Sequence, residues 1–271
     1  MPSVSRSGPE PNQNIKQGNR TMDLTGKVAV VTGGSGGLGQ RICHALAREG
    51  CHIAVVYAAS AQTAEEFCTE LNSKHQVRAQ AFQCDVSQES DVQRVVDEVV
   101  QSFGSLDILV NDAAFNKAIP YKNLDELTLE VWEKILSVNL TGPMMLCKAV
   151  APIMERQGTG RIVNISSVAG VYPGGSSIAY AVSKAGLNHL TRCMAVALAP
   201  HTLVNCVAPG LIEGTRATAN LLPEMIERSA SSSLLQKPAD KDDCANQVVT
   251  FCKSDTTTGQ TMIIDSGRVF T

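Results

Sequence analysis

The chain has 271 residues, 44% of them hydrophobic and 18% charged, with a formal net charge of −3. That length and balance suit one compact α/β domain or two small ones. A slightly acidic chain lacks the basic footprint of a nucleic-acid or anionic-membrane binder, and no apolar run approaches the roughly 18–20 residues that would cross a bilayer.

Residues 1–22 are polar and rich in Pro, Asn, Gln and Ser, without the apolar centre of a secretory signal. They read as a disordered tail, with a tag or a poorly formed targeting segment as the other readings. The nine cysteines are scattered and none forms a Cys-x-x-Cys pair, so zinc and redox motifs are absent and no metal site is expected. Most sit among apolar neighbours, where a free thiol behaves as a small hydrophobe. A reducing, cytoplasmic setting is the expectation.

Lys27-Val28-Ala29-Val30-Val31 is a short continuous apolar run, the pattern of a strand buried on both faces of a parallel sheet. It leads into Thr32-Gly33-Gly34-Ser35-Gly36-Gly37-Leu38-Gly39, after which Leu38, Ile42, Ala45 and Leu46 recur at helical spacing and Gly50 closes the helix. Strand, glycine turn and helix together form a dinucleotide-binding unit. Missing side chains let backbone approach a pyrophosphate, and the helix start offers free N–H groups and partial positive charge.

The next run, Cys51 to Tyr57, reads as a second strand, and the residues at its end bear on cofactor choice. An acidic residue there would accept from the adenosine ribose hydroxyls and repel a 2′-phosphate. This chain has Tyr57-Ala58-Ala59-Ser60, with no carboxylate until Glu65. That leans toward NADP(H), with NAD(H) as the alternative; Ser60 either meets the phosphate or caps the following helix.

Val77 to Cys84 forms a third strand ending in Asp85-Val86, where Asp85 either accepts from the adenine amino group or caps the helix from about Gln88 to Phe103. Leu106 to Val110 is a fourth buried strand, followed by Asn111-Asp112-Ala113-Ala114, small enough for a flat cofactor to pass. A helix from about Val131 to Arg156 carries Asn139, either a satisfied core amide or part of a proton path. Strands at 161–165, 203–208 and 261–264 bring the total to about seven, alternating with helices, which means a doubly wound parallel sheet.

Tyr180 and Lys184 lie four apart and share one face if their segment is helical, as Ala181, Ala185, Leu187, Leu190 and Met194 suggest. A phenol titrates near pH 10, too high for efficient proton transfer at neutrality. A neighbouring ammonium is expected to lower that value toward the useful range. Ser167 precedes Tyr180 by thirteen positions, at the end of the run Arg161 to Ile165, where its hydroxyl could serve the same substrate oxygen. Strand alternation turns Ser166 the other way. An ordinary exposed Tyr and Lys on a surface helix is the competing explanation of the pair alone.

Taken together, Thr32-Gly33-x-x-x-Gly37-x-Gly39, Asp85, Asn111-Asp112-Ala113-Ala114, Asn139, Ser167, Tyr180, Lys184 and Pro209-Gly210 resemble the short-chain dehydrogenase/reductase family, single-domain branch, from about Leu24 to Val269. Val55 to Ala61 and the Ser167-to-Tyr180 interval look most like its 3-oxoacyl-carrier-protein-reductase-like subgroup. The resemblance implies a single-domain, Rossmann-type doubly wound sheet. It also implies that Tyr180 is the general acid/base, that Lys184 lowers its pKa and holds the nicotinamide ribose, that Ser167 positions the carbonyl, and that Asn139 supports a water linking Lys184 to solvent. Cofactor contacts are implied at Gly33, Ser35, Gly37, Leu38, Gly39, Tyr57, Ala58, Ser60, Asp85, Val86, Asn111, Ala113, Tyr180, Lys184, Pro209, Gly210 and Ile212.

The chain also departs from the family pattern. Asp112 and Ala114 replace the usual Asn and Gly, and Asp112 is expected to make hydrogen bonds between strands. One extra residue before Thr215 disfavours its contact with the nicotinamide carboxamide. Residues 211–237, with Leu221, Leu222, Met225, Ile226, Leu234 and Leu235, resemble the family's substrate lid, either facing a ketone or alcohol with hydrophobic bulk or packing the lid on the body. Phe115, Tyr121, Trp132, Val171 and Tyr172 belong either to the pocket or to the core. A homotetramer or homodimer follows from the resemblance alone. The expected activity is NADP-dependent interconversion of a ketone and a secondary alcohol. The alternatives are an NAD-dependent alcohol dehydrogenase or a catalytically silent NAD(P) sensor.

Overall fold

Each apolar run read as a strand lies in one sheet of the computed structural model, which describes residues 21–215 and 230–270 together with Glu224 and Glu227. The strands are β1 (Val28–Thr32), β2 (His52–Tyr57), β3 (Ala79–Gln83), β4 (Ile108–Asn111), β5 (Gly160–Ile165), β6 (Thr202–Pro209) and β7 (Thr261–Ile264). All pair in parallel, in the order β3-β2-β1-β4-β5-β6-β7. The order reverses between β1 and β4, and in such sheets ligands bind beyond the carboxyl ends at that switch point. Thr32 pairs with Asn111, and Asn111 with Asn164, so three strand ends form one shelf there.

Helices cover both faces, which is why β1 is buried at all five positions and carries no polar alternation. On one side lie α1 (Gly37–Arg48), α2 (Ala61–His75) and α7 (Lys241–Lys253), packing Ile42, Leu46, Leu71 and Phe251 against Val31, Ile53 and Val110. On the other lie α3 (Glu89–Phe103), α5 (Gly142–Gln157) and α6 (Ile178–Leu198), where Val95, Val99, Leu146 and Val150 meet Val30 and Leu109. A helix as short as α1 is marginal alone in water. Each fully buried Leu or Ile contributes about 1.5–3 kcal/mol, so sheet packing holds it in place.

The expected helix from 131 to 156 is longer and interrupted. It runs as α4 (Leu129–Leu136), a π-helical turn at Ser137–Thr141 and then α5. By length and composition alone, Leu129–Gln157 could cross a membrane, contrary to the expectation that nothing here would. Its inner side instead packs on β4, β5, α3 and α6, as a soluble core helix does.

One boundary also differs from expectation. Thr21 and Met22 were assigned to the tail, yet Thr21 bridges Ser254 and the Met22 N–H donates to the Lys253 carbonyl at 2.9 Å. Residues 1–20 and most of the expected lid, including Leu221, Leu222, Met225 and Ile226, lie outside the described residues. Leu234 and Leu235 are described and exposed. Of the nine free cysteines only Cys193 is exposed, and burial pushes Cys51, Cys84, Cys147 and Cys244 up to about 12, as expected for inert hydrophobes.

After β5 a 3₁₀ turn, Val168–Gly170, seats α6. A Cβ on Gly170 would meet the Lys184 carbonyl carbon at 2.5 Å and the Ala185 nitrogen at 2.8 Å, both backbone atoms that cannot swing aside. Overpacking of this kind costs about 2–3 kcal/mol. Gly170→Ala is therefore expected to lower the melting temperature by about 4–12 °C in a calorimetric scan; an unchanged temperature would show that α6 has room to shift.

Candidate active site

At the end of β1 the Thr32 hydroxyl accepts from the Asp112 and Ala113 N–H groups, both at 3.1 Å, tying the glycine turn to the end of β4. Gly33 adopts φ +67°, a left-handed conformation that favours glycine. A Cβ on Gly39 would collide with the Gly33 carbonyl, reach Gly34 Cα at 2.9 Å and Asp112 Oδ2 at 3.0 Å. Backbone therefore comes close where a side chain would block it. Helix α1 starts at Gly37 behind Gly36, which supplies no side-chain cap. The expected contact residues Ser35, Gly37 and Leu38 lie at this uncapped start, which fits the pyrophosphate of a dinucleotide.

The β2 end lies beside this turn, because the Gly34 N–H donates to the Val56 carbonyl at 3.2 Å. Tyr57 is half-buried, while Ala58 and Ala59 are exposed. Ser60 occupies the first cap position of α2, but its hydroxyl pairs with Thr63 Oγ1 at 2.7 Å rather than with backbone. Asp85 does not cap α3, whose cap position is Gln88. Its carboxylate accepts from the Ser87 N–H at 3.0 Å and hydroxyl at 2.6 Å, chiefly the latter holding it below the usual carboxylate range. Val86 is buried, its carbonyl against Gly142.

The Asn111 amide is turned inward: it donates to Asn164 Oδ1 at 2.8 Å, and Asn164 donates to Thr191 Oγ1 at 2.9 Å. That ladder pins β4, β5 and α6 together, so the Asn111 side chain is committed to the core rather than to the crevice. Pro209, the last residue of β6, and Ile212 beyond it are buried, and the Gly210 N–H donates to the Ile264 carbonyl at 2.8 Å. The following turn leans over the glycine loop: a Cβ on Gly37 would meet the Gly214 carbonyl oxygen at 2.8 Å and Thr215 Cα at 3.3 Å. Thr215 thus stands at the phosphate end of the crevice, and its hydroxyl donates to the Ile212 carbonyl at 3.4 Å.

Three of the four candidate catalytic residues, Ser167, Tyr180 and Lys184, come together at the carboxyl end of β5, while Asn139 reaches α6 through Ser183. Ser166 is buried and donates to the Lys184 carbonyl at 3.0 Å. Ser167 is half-buried and accepts from the Ala169 N–H at 3.2 Å, and its hydroxyl acts on the Tyr180 phenol by partly offsetting the rise that burial causes. The Ser177 hydroxyl caps α6 by accepting from the Tyr180 N–H at 3.2 Å, which fixes that residue in the first turn. Asn139, in the π turn, accepts from the Phe115 N–H at 2.8 Å and donates to the Phe115 carbonyl at 3.0 Å and to Ser183 Oγ at 3.1 Å.

Lys184 corrects an expectation. Its Nζ donates to the Ile165 carbonyl at 2.8 Å and stands over the Tyr180 ring, 5.7 Å from the centroid. The phenol is not pulled down by this amine. Burial pushes it up from its ordinary value, the Ser167 hydroxyl draws it back in part, and the Asp112 carboxylate adds to the rise. Burial lowers Lys184 to about 8, against the upward pull of Asp112 and Cys206. Desolvation outweighs the pairing that the four-residue spacing suggested.

Sequence pattern gave no signal for two supporting groups, Ser183 and the Ile165 carbonyl, because each is defined by a tertiary contact. Phe115 and Tyr121 lie partly exposed at the rim rather than in the core, and the Tyr121 hydroxyl donates to the Gly174 carbonyl at 2.6 Å. Trp132, Val171 and Tyr172 are half-buried, and the Arg268 guanidinium lies 5.8 Å from the Tyr172 ring centroid.

Comparison with known proteins places this site in context. The family model described as short chain dehydrogenase matches residues 27–226. Granaticin polyketide synthase putative ketoacyl reductase 2 of Streptomyces violaceoruber is 40% identical over 242 residues, 89% of this chain and 95% of that protein. The 3-oxoacyl-[acyl-carrier-protein] reductase of Staphylococcus aureus is 36% identical over 245 residues, 89% of this chain and 97% of its own. The crystal structure of the NADPH-dependent 3-quinuclidinone reductase of Rhodotorula rubra matches with a TM-score of 0.87 at 26% identity, covering 97% of this chain and 100% of that one.

Proposed function

The chain belongs to the short-chain dehydrogenase/reductase family, an NAD(P)-dependent oxidoreductase acting between CH–OH and carbonyl groups, and on that premise we propose that it is an NADP-preferring carbonyl reductase with Tyr180 as the proton donor. One observation carries this reading: the Ser167 hydroxyl and the Tyr180 phenol meet at the end of β5, with the buried amine of Lys184 behind them. A carbonyl oxygen placed between the two hydroxyls would receive two hydrogen bonds, the preorganised pair that a developing alkoxide requires.

A nicotinamide cofactor, when bound, supplies or accepts the hydride. The glycine turn and the start of α1 would hold its pyrophosphate. Tyr180 gives its proton to the substrate oxygen, and Ser167 keeps that oxygen in line. Because burial holds the phenol above its ordinary pKa, Tyr180 stays protonated at neutral pH. That state suits reduction of a ketone; oxidation of an alcohol needs the phenolate, which burial disfavours.

The preference for NADP rests on the uncharged end of β2 at Tyr57, Ala58, Ala59 and Ser60, and the NADPH dependence of the similar quinuclidinone reductase favours the same cofactor. The exposed apolar side chains of Phe115, Leu234 and Leu235 support a substrate with hydrophobic bulk. The reducing cytoplasm read from the scattered thiols belongs to the same proposal. So does a homodimer or homotetramer built on α6, which leaves Val182 and Val196 exposed. Light scattering at assay concentration is expected to return two or four chain masses; one chain mass contradicts it.

Turnover is tested with a panel of bulky ketones. Tyr180→Phe is expected to slow ketone-dependent NADPH oxidation by about 10²–10⁴-fold, while NADPH affinity from fluorescence titration changes little. The same assay with NADH should give the lower kcat/KM. No wild-type turnover on any ketone would favour the silent sensor, and a clear NADH preference would overturn the cofactor assignment.

A further inference from the structure

The segment that joins the two candidate catalytic hydroxyls, from the 3₁₀ turn after Ser167 to the cap of α6 at Ser177, also flanks the site. A Cβ on Gly175 would reach the Tyr180 ring at 3.2 Å, and one on Gly174 would reach the Tyr172 ring at 3.0 Å. Tyr180 and Tyr172 therefore each pack on one member of a bare glycine pair. The pair is held from the opposite loop: the Tyr121 hydroxyl donates to the Gly174 carbonyl at 2.6 Å, and the Ile119 N–H to the Ser176 carbonyl at 2.8 Å.

The C-terminal segment reaches the same wall. Just past β7, the buried Asp265 carboxylate accepts from the N–H groups of Gly267 at 3.0 Å, Arg268 at 3.1 Å and Val269 at 2.7 Å. The Leu234 and Leu235 N–H groups donate to the Gly267 and Ser266 carbonyls at 3.2 and 3.0 Å, which ties the end of the expected lid to this turn. Arg268 is thus presented from a fixed backbone. Its guanidinium stands over the Tyr172 ring, 5.8 Å from the centroid and within range of a cation–π contact.

We propose that Arg268 is a specificity-determining residue of this site, selecting ketones that carry an anionic group, carboxylate or phosphate, at the end remote from the carbonyl. The order along the wall sets the place: Tyr180 ring, glycine pair, Tyr172 ring, guanidinium. A substrate whose carbonyl meets Tyr180 and whose apolar body follows the glycine pair brings its far end toward Arg268. Contact with an aromatic ring engages the face of a guanidinium. Its five N–H donors lie in the plane, in the fork geometry that pairs with carboxylate or phosphate oxygens. The inference deepens the carbonyl-reductase reading and rests on it for the turnover assay.

The test compares ketones that differ only at the far end: a keto acid, its primary amide, and the phosphate ester of the matching keto alcohol. Wild-type kcat/KM is expected to favour at least one anionic member over the amide by about 10-fold or more. Which anion gains shows whether carboxylate or phosphate is the natural group. The gain should lie in KM rather than kcat, because a contact remote from the carbonyl binds ground and transition states alike. Arg268→Met is expected to bring the ratio near one, and Arg268→Lys to retain part of it. Equal kcat/KM for all three ketones in the wild type, or a preference that survives Arg268→Met, overturns the proposal. Calorimetric titration of the same compounds into protein saturated with oxidised cofactor needs no turnover. There, tighter binding of an anion that Arg268→Met abolishes would uphold the proposal even if an inactive wild type sank the reductase reading, and equal or absent binding would overturn it.

Discussion

The seat of α6 against the end of β5 is the constraint on which the site depends. Gly170 leaves no room for a side chain against the Lys184 backbone, and Asn188 Nδ2 donates to the Gly170 carbonyl at 3.1 Å. A second close approach follows one turn later: a Cβ on Gly175 would reach Ala169 Cβ at 2.8 Å and the Tyr180 ring at 3.2 Å. Ser166, facing inward, locks the Lys184 carbonyl. With the helix held this tightly, Ser167 and Tyr180 have little freedom to part. Their proximity follows from backbone packing at Gly170 and Gly175.

That tightness has an electrostatic consequence. Removing water from the crevice penalises every charge in it, so burial is the leading influence on Tyr180, Lys184 and Asp112 alike. For Lys184, moving from 10.5 to about 8 corresponds to about 3 kcal/mol of bias against the ammonium. The phenol stays a proton donor, the amine stays near the edge of charge, and small changes in neighbouring charge become decisive.

Much of the fold could be read from the sequence, because a strand covered on both faces must be apolar throughout. The run Val28–Val31 could hardly be anything else, and the strands begin and end within a residue or two of expectation. The pairing of Tyr180 with Lys184 on one helical face was legible for the same reason, since spacing fixes it. Other features depend on partners far along the chain. The π turn at Asn139 goes with bonds to Phe115 and Ser183, 24 and 44 residues away. The amine's acceptor, Ile165, lies 19 residues away. The direction of the phenol's shift was misjudged because spacing shows the nearby ammonium but not the burial that outweighs it. The place of the Asn111 amide in a ladder inside the sheet likewise depends on Asn164, 53 residues away.

The central claim is that a desolvated phenol at Tyr180 rests protonated beside Ser167, ready to donate. It is tested most directly by pH-jump ultraviolet titration of the phenolate band, taking wild type minus Tyr180→Phe before either protein unfolds. The account predicts a Tyr180 midpoint above the ordinary phenol value of about 10. A midpoint well below that value would contradict it, showing that the Lys184 ammonium governs the phenol after all.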